Sequence, residues 1–206
     1  MKFSSLIASS KAKLISGFLN LKKIFSDEDK LDILLVWNGF KSAALIEISF
    51  LNSISKNSAK KKVQYLKHLL HRLGLRYRLR INYLQREDEV TYYSFVAKDT
   101  STLKKLISAY AERDRKKRIL KTGKILGYPS SAVRAFANRK SINIIDLPIS
   151  IRKKAEFKFL NFRLSPNWRK ELLYVRKIMH ELKKISPDFY KKMNKKDRQF
   201  KDMPGS

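Results

Sequence analysis

Arg76, Arg78 and Arg80 alternate with Tyr77, Leu79 and Ile81 in the run Leu75–Tyr83, so a strand here carries guanidinium groups on one face and apolar side chains on the other. Side chains on one face of a strand repeat every ~6.5–7 Å, close to the spacing of phosphates along a nucleic-acid backbone. Guanidinium forks also match phosphate oxygens. The structural alternative is a solvated outer face, partly neutralised by Glu87, Asp88 and Glu89 in the turn that follows. A second cationic group comprises Lys104, Lys105, Arg115, Lys116, Lys117, Arg118, Lys121 and Lys124. On one helix through 102–119, Lys104, Lys105, Arg115, Lys116 and Arg118 would share an arc of roughly 160°. Cations near a helix C-terminus suit its dipole, which accounts for about two of these charges.

Between this helix and the next lies Gly123-Lys124-Ile125-Leu126-Gly127-Tyr128-Pro129. Pro129 fits the first position of a helix, and free amides there, with Gly127, Tyr128, Ser130 and Ser131, would suit an anion. Gly123 and Gly127 would permit a sharp turn or a close ligand approach. A tight structural turn between two helices is the simpler account of the same residues.

Other chemistry is poorly supplied. Glu87, Asp88 and Glu89 could hold a hard cation beside the arginine strand, although consecutive carboxylates seldom converge on one centre. His68 and His71 stand three apart on a predicted helix with no nearby carboxylate or thiolate, which suits surface histidines better than a metal site. Lys121-Thr122-Gly123 and Ser101-Thr102-Leu103-Lys104 match fragments of the serine β-lactamase set, but lie too close together for that fold. Gly123-Lys124 is not a phosphate-binding loop, because the upstream glycine and the following Ser/Thr are missing. The residues therefore assign no catalytic group, no metal and no cofactor.

The composition points the same way as the motifs. Across 206 residues, 47 Lys+Arg against 18 Asp+Glu leave a net charge of +29, and self-repulsion on that scale opposes compaction unless a partner relieves it. A coding bias that favours lysine does not explain the scarcity of acids. Residues 61–125 carry 18 basic and 6 acidic residues, so the excess belongs to the folded middle as well as to the C-terminal part. Hydrophobic residues make up 43% of the chain, enough for a real core. The absence of cysteine excludes disulfides and thiolate chemistry, and no apolar run is long enough to span a membrane. A cytoplasmic protein is the expectation.

These groups must be positioned by a small set of elements. Leu14, Phe18, Leu21 and Phe25 make an apolar stripe on an amphipathic basic helix within residues 1–25, which would dock on the domain or, through residues 6–25, meet an anionic membrane surface. Ser26-Asp27-Glu28-Asp29 has the form of a capping box and predicts a helix to about Trp37; Asn38-Gly39 ends it, or else joins Ile33–Trp37 and Ala43–Ile48 as a hairpin. Leu45–Phe50 is a strand under either reading. Val63, Leu66, Leu69, Leu70 and Leu73 mark a helix that Gly74 closes. Val90–Lys98 should return antiparallel to the arginine strand. Ser141–Leu147 and Glu156–Leu164 read as extended, and Phe157, Phe159 and Phe162 are either core or a stacking surface for bases. Trp168, Leu172, Val175, Met179 and Leu182 mark a long helix that ends at Ser186-Pro187, and residues 187–206 read as a flexible basic tail.

The run Gly123-Lys124-Ile125-Leu126-Gly127-Tyr128-Pro129, with Val133 and Phe136, resembles the signature of an archaeal family known as domain of unknown function 483. Tyr93–Lys98, Leu103–Arg118 and Pro187-Asp188-Phe189-Tyr190 fit the same layout, so the likeness covers about residues 30–190. A cysteine pair follows the Tyr-Pro in that family, whereas this chain has Ser131 and Ala132. The resemblance implies no established activity and lends no catalytic residue.

The expected architecture is α+β, a small antiparallel sheet covered on one face by helices at 59–73 and 102–119, as a single domain over 26–186 with an N-terminal amphipathic helix and a long C-terminal helix. The expected function is non-catalytic, weakly specific binding of nucleic acid, RNA over DNA, through the basic strand and helix faces. The alternatives are an interaction module descended from an enzyme or metal protein and since depleted of cysteine, or a nucleic-acid-processing enzyme using Glu87, Asp88 or Glu89.

Overall fold

The computed structural model describes residues 26–51, 56–84 and 89–195. The amphipathic helix expected within 1–25, Glu87, Asp88 and residues 196–206 lie outside the described residues. The protein is α+β, as its sequence leads one to expect.

Helix α1 (Asp27–Asn38) opens on the predicted capping box. Asp29 N–H donates to Ser26 Oγ at 3.0 Å, and Ser26 N–H donates back to Asp29 Oδ2 at 3.1 Å. Burial pushes the Asp29 carboxyl above its usual range, with hydrogen bonds from Ser26 opposing the shift. Asn38-Gly39 is not a hairpin turn. Gly39 takes a φ of +84° and its N–H closes the helix on the Val36 carbonyl, a conformation in which a side chain would be strained.

Three strands follow the sequence expectation: β1 (Ala43–Leu51), β2 (Arg76–Leu84) and β3 (Glu89–Ala97), in the order β1-β3-β2, all antiparallel. The register sets Arg76 against Ala97, Arg78 against Phe95 and Arg80 against Tyr93. Helix α2 (Lys56–Arg72) lies between β1 and β2 in sequence, and Gly74 follows it at φ +69°.

Helices cover both faces of this sheet, not one. The face of Ala44, Ile46 and Val96 packs with Val63, Leu66, Leu69 and Leu70 of α2 and with Leu31, Leu34 and Leu35 of α1. The opposite face, bearing Ala43, Phe95 and Ala97, packs with Leu103 and Leu106 of α3 (Thr100–Tyr110). Alternation gives β1 and β3 an apolar set on each face, and each set needs its own cover, whereas β2 carries arginines on the α3 face. Full burial of one such aliphatic side chain stabilises by about 1.5–3 kcal/mol.

The helix expected through 102–119 is two helices. Helix α3 ends at Ala111, and α4 (Arg115–Ile125) begins anew where the Asp114 carboxylate accepts from Lys117 N–H at 2.6 Å. Aspartate is a far better N-cap than helix-interior residue, so the chain breaks there. Helix α5 (Ser130–Ala137) follows with Pro129 as its N-cap rather than its first helical residue.

Ser141–Leu147 and Glu156–Leu164 form no strands. They meet at one isolated bridge, Ile142 with Leu164, and otherwise coil into single 3-10 turns at Ile144–Asp146 and Ala155–Phe159 around the short α6 (Ile149–Arg152). Phe157 and Phe159 are buried, so they are core and not a stacking surface.

Helix α7 (Trp168–Ile185) buries Trp168, Leu172, Val175, Ile178 and Leu182. The expected flexible tail is ordered through its first half, because Pro187–Lys195 forms α8. Its composition reads as solvated, but Phe189 and Met193 stand four apart and both enter the core, Tyr190 stacks on Phe159 at 5.3 Å, and Lys192 pairs with Asp27 at 2.6 Å. Phe189→Ala should therefore destabilise the protein by about 3–4 kcal/mol, whereas Lys191→Ala changes stability by less than about 0.5 kcal/mol. Urea unfolding of the two variants measures this; equal midpoints would mean that α8 is not part of the core.

Candidate nucleic-acid interface

Arg76, Arg78 and Arg80 are exposed along the edge strand β2. Their register places them on the sheet face that α3 covers, beside the contacts of Tyr110 with Phe95 at 5.1 Å and Tyr93 at 5.9 Å. Lys104 and Lys105 are exposed on α3, so the two cationic groups lie on the same side of the sheet.

The break before α4 changes the meaning of the other cations. Arg115, Lys116, Lys117 and Arg118 are the first turn of a helix, not the last, and their charges oppose its dipole instead of matching it. Arg115, Lys116 and Lys117 are exposed, while Arg118 is half-buried. Arg115 lies 5.7 Å from the Phe136 ring and donates weakly to the Ala137 carbonyl at 3.4 Å. Lys121 pairs with Glu112 at 2.5 Å, and that hydrogen bond holds the Glu112 carboxyl below its usual range. Lys124 is exposed.

Several acids elsewhere are committed within the molecule, while Glu47, Asp146 and Asp188 are exposed. Asp29, Asp99 and Asp114 cap helices; Glu156 and Glu181 pair with Arg176 and Lys184; Glu171 is buried. Among the described residues, Arg76, Arg78, Arg80, Lys104, Lys105, Arg115, Lys116 and Lys117 form no ion pair. The side chain of Glu89 and the residues Glu87 and Asp88 are outside what is described, and the described residues hold no group of three or more metal-ligating side chains.

The Gly-Tyr-Pro turn closes one helix and sets the next against it. Gly127 has φ +75°, its N–H reaches the Lys124 carbonyl at 3.2 Å, and Tyr128 N–H reaches the Gly123 carbonyl at 3.1 Å. This pair of bonds closes α4 as a Schellman motif, which uses the amides of Gly127 and Tyr128 and leaves those that open α5 outside the motif. Gly123 sits where α5 crosses: a Cβ there would stand 2.7 Å from both methyl groups of Val133. The Ser131 hydroxyl donates to the buried Glu171 at 2.6 Å, and Ala132 is buried; Ser130 alone of this set is exposed and uncommitted by any of these bonds.

Tyr128 leads to a group that the sequence motifs did not reveal. Its ring lies 4.4 Å from Lys41 Nζ, and Lys41, whose side chain is 0% exposed, forms a 2.7 Å ion pair with Asp32. Asn161 also donates to Asp32 Oδ1. Burial, then the nearby Asp32 carboxylate, pushes the Tyr128 and Tyr174 hydroxyls well above the usual tyrosine range. Asp32 inside the apolar run Leu31–Val36 is the one hint in the sequence that a buried partner exists.

Compared with known proteins, the chain matches no family model, no curated protein and no solved structure. Among the described residues, no helix is long and apolar enough to cross a membrane.

Removing one member of the buried pair strands the other. Lys41→Met should cost about 3–5 kcal/mol, and the double variant Lys41→Met/Asp32→Leu should lose less than the single change. Chemical denaturation of the parent, Lys41→Met, Asp32→Leu and the double variant tests this; strictly additive losses would show that the two charges are not coupled.

Proposed function

We propose that the protein is a non-catalytic nucleic-acid-binding protein, favouring RNA over DNA, that holds the phosphate backbone between the Arg76–Arg80 edge and the cations of α3 and α4. The observation that carries this reading is the first turn of α4: Arg115, Lys116, Lys117 and Arg118 oppose the helix dipole, and although Arg115 and Arg118 also make contacts within the protein, folding alone gives no reason for the exposed Lys116 and Lys117. A polyanion supplies one, by exchanging condensed counter-ions for fixed cations. The arginine edge adds a row of guanidinium groups at phosphate-like spacing on the same side of the sheet. Contacts of this kind read charge and shape and carry little sequence information. Kinship with the archaeal domain of unknown function 483 is part of the same proposal and rests on the Gly123–Pro129 signature with Val133 and Phe136.

Fluorescence polarisation with a structured RNA and a duplex DNA of equal length tests the proposal across about 50–200 mM salt. Affinity should fall by about 10³-fold or more over that range if six or more phosphates are held. Arg115→Glu/Lys116→Glu/Lys117→Glu should weaken both ligands and flatten the salt slope by two to three units, since each lost phosphate contact removes about 0.7–0.9. Binding that is absent, or flat with salt, would sink the reading; tighter binding of the DNA would remove only the RNA preference.

A further inference from the structure

A cavity of about 280 Å³ lies between α4, α5 and the segment leading to α7. Its walls are Ile119, Gly123, Leu126, Val133, Phe136 and Phe162 with Tyr110, Tyr128 and Ala132, so they are almost wholly apolar. Phe136, 39% exposed, is one of the large apolar side chains left open to solvent. Three residues break this pattern: Thr122, Arg118 and Arg163.

Thr122 is only 9% exposed, and its hydroxyl is buried without a hydrogen-bond partner among the described residues. Such a group is costly on an apolar wall and calls for an explanation. Arg118 precedes Thr122 by one helical turn, so the two side chains leave α4 on the same stripe. Arg118 is half-buried and donates to the Glu112 carbonyl at a weak 3.4 Å. Arg163 is exposed on the opposing segment and forms no ion pair among the described residues. Two guanidinium groups therefore flank an apolar cavity.

We propose that this cavity binds a small apolar carboxylate, its hydrocarbon body enclosed by Leu126, Val133, Phe136 and Phe162 and its carboxylate held by Arg118 and Arg163. The size is at the low end for small-molecule sites, which suits a short acyl chain or a single ring. Guanidinium groups bind carboxylates through paired, charge-assisted hydrogen bonds. A nucleobase fits less well, because its several donors and acceptors would meet an almost wholly apolar wall. This inference does not depend on nucleic-acid binding, and no nucleic acid enters its decisive measurement.

Calorimetry on the full chain with octanoate, octanol and acetate tests it. Octanoate should bind one per chain and more tightly than octanol, while acetate should not bind measurably. Arg118→Gln/Arg163→Gln should weaken octanoate about tenfold or more and leave octanol within about twofold. If the double variant does not fold, the exposed-site variant Arg163→Gln, with a loss of at least about threefold for octanoate alone, serves in its place. In methyl-resolved NMR of the unaltered protein, octanoate should shift Ile119, Thr122 and Val133. Equal affinity for octanoate and octanol, or shifts that leave these methyls unmoved, would overturn the proposal. So would uridine monophosphate shifting the same methyls where octanoate does not, which would assign the cavity to a base.

Discussion

The ion pair between Lys41 and Asp32 is the constraint around which the helices are arranged. Lys41 leaves the loop after α1, and its side chain is fully enclosed beneath the Tyr128 ring. Asp32 comes from α1 and also accepts from Asn161, in the segment before α7. Phe162 packs its ring against Tyr128 and Tyr174 at 5.8 Å each, and Phe40 stands 5.9 Å from Tyr174. Taking two charges out of water costs several kcal/mol each, so such a pair adds little net stability. What it does here is restrict geometry: α1, the Gly-Tyr-Pro turn and the start of α7 must all arrive together, or a charge is left buried and alone.

A second carboxylate does the same on a smaller scale. Glu171, 2% exposed, accepts from Ser165 N–H at 2.9 Å and from the hydroxyls of Ser165 and Ser131. It ties the first turn of α5 to the first turn of α7, and a carboxylate suits both helix N-termini. Ser131 thus has a structural task. With acids committed to caps, buried pairs and surface pairs, few remain to neutralise the cations on the outside, and the surface charge follows from where the scarce carboxylates are used.

Much of the fold was legible. The capping box at Ser26, the alternation along Leu75–Tyr83, the partner strand Val90–Lys98, the glycine at 74 and the apolar stripe from Trp168 to Leu182 all occupy the places their local patterns indicate. Each of these signals depends on neighbours within a few residues. The misjudged elements are those where two local signals compete. Asp114 starts a new helix where apolar periodicity would continue the old one, whereas at Gly39 the helix ends as expected although Asn-Gly also suits a hairpin. In α8, two buried side chains outweigh a composition that reads as solvated.

The sequence by itself determined the charge, the strands and most helices, because composition and periodicity are properties of short windows. It also placed Arg76, Arg78 and Arg80 on one strand face. Only the tertiary structure decided that α2 and α3 cover opposite faces of the sheet, since either helix could have packed on either apolar set. It likewise decided that Lys41, Asp32, Asn161 and Tyr128 meet, although Asp32 and Asn161 are 129 residues apart in the chain. The Gly-Tyr-Pro turn, read locally, suits an anion. In three dimensions its amides close α4, its glycine at 123 admits Val133, and its tyrosine covers a buried lysine. A backbone donor can serve one partner at a time, and the nearer, covalently tethered one wins.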